Sequence, residues 1–235
     1  MTAELPFTGF SRDMVPFYRE LVENNNKAWF EANRERFEKN VLEPARQYIE
    51  AMGLRLRELA PEVNAIPKVN KSLFKIHRDT RFSRDKTPFK DHLGIWMWEG
   101  SGHRMANSGF YFHIDRFELI LGVGMHHFPD TLLQAYRDSV MHARYGPELR
   151  EAIKTITRDP EIQVHGLHYK RVPRGYPADH PLADLLRHKG VYASMRQPHP
   201  EILYSAEFIE YSFSWFKKML PLHLWMRDMT RRAAS

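Results

Sequence analysis

Apolar side chains recur every three or four positions through the first third of the chain, the period of helices with one buried face. Met14, Phe17, Tyr18 and Leu21 form one stripe behind Ser11, a candidate cap, and the Asn24-Asn25-Asn26 run ends it. Asn26 can cap a second helix running to about Asn40, with Trp29, Phe30, Asn33 and Phe37 on one side. Pro44 suits the opening turn of a third, whose stripe of Ala45, Tyr48, Ile49, Met52, Leu56 and Leu59 runs until Pro61. The period then changes to two. Leu73–His77, His92–Trp98, Gly109–Asp115 and Phe117–Gly124 alternate as strands do, and the last two are close enough to form a hairpin turning near Asp115-Arg116. Gly100-Ser-Gly-His reads as an exposed loop. Helical spacing returns after Pro129: Asp130 can cap a helix through Val140, Pro147 can open another, and Asp179 can cap a short one started by Pro181. A candidate strand, Val191–Met195, precedes terminal helices from about Ser205, interrupted at Pro221.

Helices, then strands, then helices predict an α+β fold rather than a βαβ alternation. The expected core is a mostly antiparallel sheet over about residues 73–125, with 168–172 and 191–195 as candidate additional strands, packed with N-terminal and C-terminal helices. No repeat or linker interrupts the 235 residues, which read as one domain, 1–235.

Composition removes several chemistries. There is no Cys, hence no thiol nucleophile, disulfide or thiolate metal centre. The N-terminal Met1–Phe7 lacks the basic start and apolar run of a secretory signal, and the Phe117–Met125 run is too short to cross a bilayer, so a cytoplasmic chain with no membrane partner is expected. The formal net charge is +6, and it is localised. Eight basic residues against three acids lie between Lys68 and His92, and Lys170, Arg171 and Arg174 lie in a stretch without acids, from His165 to Ala178. Local positive fields of this kind capture anions.

The segment Arg78-Asp-Thr-Arg-Phe-Ser-Arg-Asp-Lys-Thr-Pro-Phe-Lys resembles the family called domain of unknown function 2461. Asn24–Arg34, Gly109–Ile114 and Lys170–Pro181 extend the resemblance over nearly the whole chain. Relatives typically carry Tyr where this chain has Phe37 and Phe89, and often where it has His77, so hydroxyls at those positions are poor candidates for essential chemistry. The resemblance implies stand-alone chains and no particular reaction.

Arg78, Arg81, Lys86 and Lys90 are candidate anion ligands on a loop ahead of Pro88, Arg offering a planar fork and Lys a mobile point charge. Asp79 and Asp85 can instead lace the same loop internally, a better reading than a magnesium site. Lys170, Arg171, Arg174 and Tyr176 form a second candidate arm around Gly175, expected to share a cleft with the first. His113 shares a strand face with Tyr111 and Asp115, and by phase with Lys75 and His77; it is either a general acid–base group or a hydrogen-bonded structural residue. Asn33 either bonds a neighbouring loop or lines the cleft, and Trp96 and Trp98 are either a packing layer or a stacking surface. No His-Glu-x-x-His, phosphate-loop, dinucleotide or Gly-x-Ser-x-Gly pattern occurs, and no cofactor or metal is implied.

These features support a site for a phosphate- or carboxylate-bearing small molecule between loops 78–90 and 170–176. Two alternatives stay open: a nucleic-acid-binding module using the same cations, and a structural protein locked by an internal Arg–Asp network. Neither a reaction nor an oligomeric state follows from the residues.

Overall fold

Strands that are largely or wholly buried meet helices with one buried stripe in an α+β fold. The computed structural model describes residues 6–234, so the reading of the extreme N-terminus falls partly outside the described residues. Helices α1 (Met14–Glu23), α2 (Lys27–Ala32), α3 (Arg34–Phe37) and α4 (Glu43–Leu56) come first. Strands β1 (Val63–Asn64), β2 (Leu93–Glu99), β3 (Gly109–Ile114) and β4 (Leu119–Met125) follow, then α5 (Asp130–Met141), α6 (Tyr145–Ile156), β5 (Gln163–Leu167), β6 (His188–Gln197) and α7 (Phe208–Ala234). The six strands form one antiparallel sheet in the order β1-β2-β3-β4-β6-β5. None of the helices is long and apolar enough to cross a membrane, among the described residues.

The chain divides into two compact units. One comprises the chain up to Met97 with Tyr111–Leu121 and Arg196–Ser214; the other comprises Trp98–Phe110, Gly122–Met195 and the chain from Trp215. The first is centred on aromatic rings: Phe10 stacks on Phe112 at 5.1 Å, and Tyr48 lies 5.2 Å from Phe112 and 5.7 Å from Phe208. The Tyr48 hydroxyl donates to Ser212 Oγ at 3.1 Å, which satisfies a polar atom inside that cluster. The second buries Phe128 against Tyr136 at 4.6 Å, and Tyr136 donates to the Leu185 carbonyl at 2.8 Å.

Several local expectations are corrected. Ser11 stands just ahead of α1, its hydroxyl accepting from the Asp13 amide at 3.2 Å and donating to Asn40 Oδ1 at 3.0 Å, while Asp13 holds the cap position before Met14. Asn26 does cap α2, its Oδ1 accepting from the Trp29 amide at 3.0 Å. The expected single helix to Asn40 breaks at Asn33, whose side chain donates to its own helix at the Trp29 carbonyl, 3.0 Å away, rather than to a loop or a cleft. Residues Glu38–Leu42 then form a π-helical turn running into α4. Pro44 explains the widening, because its ring would clash with the carbonyl four residues back in a tight α turn. Pro221 does not interrupt the last helix; α7 runs through it for 27 residues. Asp130 is the first helical residue of α5, with Pro129 at the cap position. Near Pro181 the acceptor for the Leu182 amide is His180 Nδ1 at 3.1 Å, not Asp179, and only a 3₁₀ turn at Leu185–Arg187 follows.

The strand pattern also shifts. Leu73–His77 pairs only through isolated bridges, Leu73 with Ile95 and His77 with Phe89, so this backbone leaves β2 after Phe74 and pairs instead with residues 88–90. Residues 168–172 are loop; the edge strand is β5, paired antiparallel with β6 around a bulge at Gly166.

Candidate anion-binding loops

In the first unit the 78–90 segment is a loop carried on a short ladder. The Arg78 amide donates to the Pro88 carbonyl and the Lys90 amide to the Ile76 carbonyl, both at 2.8 Å. Above it the side chains close across the loop. The Arg78 guanidinium is bound by Asp85 and by the Thr87 hydroxyl. Arg81 makes a two-pronged pair with Asp79 at 2.9 and 2.7 Å. Lys86 Nζ donates to the Thr80 carbonyl at 2.9 Å, and Lys90 Nζ lies 5.3 Å from the centre of the Phe74 ring. The Arg81 fork and amide pull the Asp79 carboxyl down to about 2; the Thr87 amide, Arg78 and the Thr87 hydroxyl do the same for Asp85. The carboxylates among the cations therefore stay ionised and bind arginine.

The strand face beside this loop carries the titratable cluster. On β3, Phe110, Phe112 and Ile114 are buried, while Tyr111 and His113 point the other way and are part-exposed. The Tyr111 hydroxyl lies 3.1 Å from His113 Nδ1, and His113 Nε2 lies 3.6 Å from Asp115. His92 stacks on His113 with ring centres 4.4 Å apart and is itself 3.0 Å from Asp91. Burial, reinforced by His92 and opposed by Asp115, holds the His113 imidazole down to about 4, and burial pushes the Tyr111 phenol up to about 12. His113 is thus neutral at pH 7 with both ring nitrogens facing groups of its own unit. The expected Lys75 and His77 are not part of this face. Phe74 lies against Gly94 and 6.4 Å from Tyr111, while His77 packs 5.1 Å from Phe89. The broken ladder at 73–77 is the cause, since alternation holds only while a strand continues. Trp96 and Trp98 are buried, as a packing layer requires.

The second unit holds Lys170, Arg171, Arg174 and Tyr176, all on the loop between β5 and the Leu185–Arg187 turn. The turn at Gly175 has a φ of +90° with open space on the Cβ side. Tyr176 is docked rather than free: its hydroxyl accepts from Gln134 Nε2 at 2.9 Å and lies 3.4 Å from Asp138 Oδ1, both on α5. The same helix contributes a residue that sequence reasoning missed. The Arg137 guanidinium lies 5.3 Å from the Tyr169 ring centre and 6.0 Å from that of Tyr176, and its Nε is buried without a hydrogen-bond partner. Its position next to Tyr136 and four residues after Leu133, at the border of the buried stripe, was the available signal. Lys170, Arg171 and Arg174 are exposed and make no ion pair among the described residues.

A buried polar chain in this second unit was also not legible. Ser108 Oγ lies 3.0 Å from His223 Nδ1, His223 Nε2 lies 2.8 Å from Glu99, and Arg227 reaches the same carboxylate at 3.6 Å. Burial keeps His223 below its ordinary range, so it is a neutral bridge between the Ser108 hydroxyl and a carboxylate whose charge Arg227 meets. Ser108 and His223 are 0% exposed and Glu99 1%, which makes this a core lock and not a reachable nucleophile. No group of three or more His, Asp or Glu residues placed to hold a metal ion occurs among the described residues.

The comparison with curated proteins gives no match. The family of conserved hypothetical proteins described as DUF2461 matches residues 13–225, a span that holds both basic loops, the β3 histidine and the buried Ser108–His223 chain. The chain belongs to that family.

Proposed function

We propose that the protein binds a phosphate- or carboxylate-bearing small molecule at the 168–176 loop, its anionic group taken by Arg137 with Lys170, Arg171 and Arg174. The observation that carries this reading is the Arg137 guanidinium, flanked by two tyrosine rings with a buried Nε and no partner. An unsatisfied buried donor costs free energy, so a shift of the loop that lets a ligand oxygen reach this nitrogen is favoured. Pinning of Tyr176 by Gln134 and Asp138 supports the same reading, because it holds the loop against α5 before any ligand arrives. Arg78 and Arg81 are not assigned as primary ligands, since an incoming anion would have to displace Asp85 and Asp79 from them.

Thermal unfolding with inorganic phosphate, pyrophosphate and citrate tests the proposal. Binding to the folded chain raises Tm by about 3 °C or more at ten times Kd. Arg137→Ala, and separately the Arg171→Ala/Arg174→Ala pair, should abolish that rise. A flat Tm across all three anions, or an unchanged rise in both variants, overturns it.

A further inference from the structure

The 78–87 loop spends its polar side chains on itself and leaves its one large apolar ring bare. Arg78 ties to Asp85 and Thr87, Arg81 to Asp79, and Lys86 to the Thr80 carbonyl, while the Ser83 amide bonds the Thr80 carbonyl at 3.3 Å. Between these braces Phe82 is 96% exposed, with the Arg81 guanidinium 5.7 Å from its ring centre. Such a loop is already ordered, so a partner that engages its tip meets little ordering cost. The charge around the tip selects the partner. Residues 78–90 carry five cations and two acids, and both acids are paired to arginine, so the excess of three positive charges remains. Arg84 in this loop and Lys75 just before it are exposed and make no ion pair among the described residues, and Lys75 acts electrostatically on Asp79 of the loop. The other strongly exposed phenylalanine of this unit, Phe117 at 67%, sits instead between Asp115 and Glu118, beside Arg116.

We infer that this loop is a docking element for single-stranded nucleic acid, with Phe82 stacking on an unpaired base and Arg84, Lys86 and Lys75 meeting backbone phosphates. An exposed ring among cations suits a strand whose bases present π-faces and whose backbone is a regular polyanion. A duplex hides its bases from such a ring. This surface lies in a different unit from the small-anion site proposed above and does not depend on it.

Fluorescence anisotropy with a labelled mixed-sequence 20-mer tests the inference on the full chain. Single strands should bind at low salt, better than the matching duplex, and three phosphate contacts give log Kobs against log salt a slope of about −2. Phe82→Ala should weaken binding by about tenfold or more, and Phe82→Trp should restore it. Arg84→Ala should flatten the salt slope by about 0.7. Because Phe82 is exposed, the alanine variant should keep the wild-type Tm, which separates lost docking from lost folding. Absence of binding to single strands at 20 mM salt (about the lowest practical), unchanged affinity of Phe82→Ala, or Phe82-dependent binding to phosphatidylserine vesicles but not to the oligonucleotide each overturns the proposal.

Discussion

Replacing His113 by Gln should remove an acid-sensitive part of the protein's stability, and its size follows from the site. The imidazole projects from β3 mostly shielded from solvent, stacked on His92, and is held at about 4 instead of the ordinary 6.5. As pH falls through 6.5 the unfolded chain takes a proton at this residue, whereas the folded chain does not until about 4. Protons therefore favour the unfolded state across that window; the contribution is fully present above pH 6.5 and lost as pH falls toward 4. Fully expressed, the gap corresponds to about 3 kcal/mol, of which about 2 kcal/mol is already lost at pH 5. Urea unfolding at pH 7.5 and 5.0 reads this as a change in midpoint. The wild type should lose about 2 kcal/mol more than His113→Gln between the two conditions, whatever the variant's absolute stability. A histidine Cε1 proton titration gives the same answer directly, with a midpoint for residue 113 below 5. Parallel losses in the two proteins, or a midpoint at 6 or above, would show that His113 is not held neutral by its surroundings.

Gly166→Ala should be strongly destabilising, because Gly166 sits at the β5–β6 bulge with a φ of +108° and an added Cβ would lie 1.9 Å from the Gly190 carbonyl oxygen. The backbone strain alone is about 1–3 kcal/mol, and the overlap adds to it, so a Tm within a degree of wild type would contradict the bulge. In the buried Ser108–His223–Glu99 chain, His223→Leu should cost about 3–5 kcal/mol by stripping a bonding partner from an enclosed carboxylate, against about 1 kcal/mol for Ser108→Ala. Denaturant titration of both variants checks the order, and equal costs would mean that the Glu99 charge does not depend on His223.

Much of the fold was legible because the two periods separate cleanly. The Gly109–Ile114 and Leu119–Met125 hairpin follows from alternation, and Asp115 closes its turn by accepting from the Phe117 and Glu118 amides at 2.7 and 2.9 Å. What failed were places where one residue's local bonding competes with the pattern. Asn33 returns its side chain to the Trp29 carbonyl and ends α2 inside a continuous apolar stripe, and Pro44, which does stand in the opening turn of α4, also widens the turn before it. Leu73–His77 has the alternation of a strand but no one partner along its whole length, changing from β2 to residues 88–90, and alternation cannot report pairing. At the candidate sites, residue types were readable and their partners were not. The Arg–Asp pairs of loop 78–90 lie within seven residues and could be foreseen as one option. Arg137 meets Tyr169 and Tyr176 from across the fold, and Ser108 meets His223 over 115 residues; neither leaves a local signature.

The placement of cations matters less than what already sits beside them. In loop 78–90 each of two guanidinium groups faces a carboxylate tethered a few residues away, present at an effective concentration that a dilute ligand does not match. With Asp79 and Asp85 ionised down to about 2, mild acid does not free those forks either. Such pairs brace the loop, and the proposed docking role falls to groups outside them, Phe82 and Arg84 among them. Around Tyr169 and Tyr176 the balance is reversed. The stretch from His165 to Ala178 contains no acid, the nearby Asp138 carboxylate is engaged by Gln134 and Tyr176, and Arg137 keeps a buried nitrogen unmet. On the proposed reading, a small anion arriving there meets Lys170, Arg171 and Arg174 without ion-pair partners among the described residues, with Asp138 beside Tyr176 as an opposing charge. The two proposed roles therefore differ with the carboxylates, which pair with two arginines in residues 78–90 and are absent from residues 165–178.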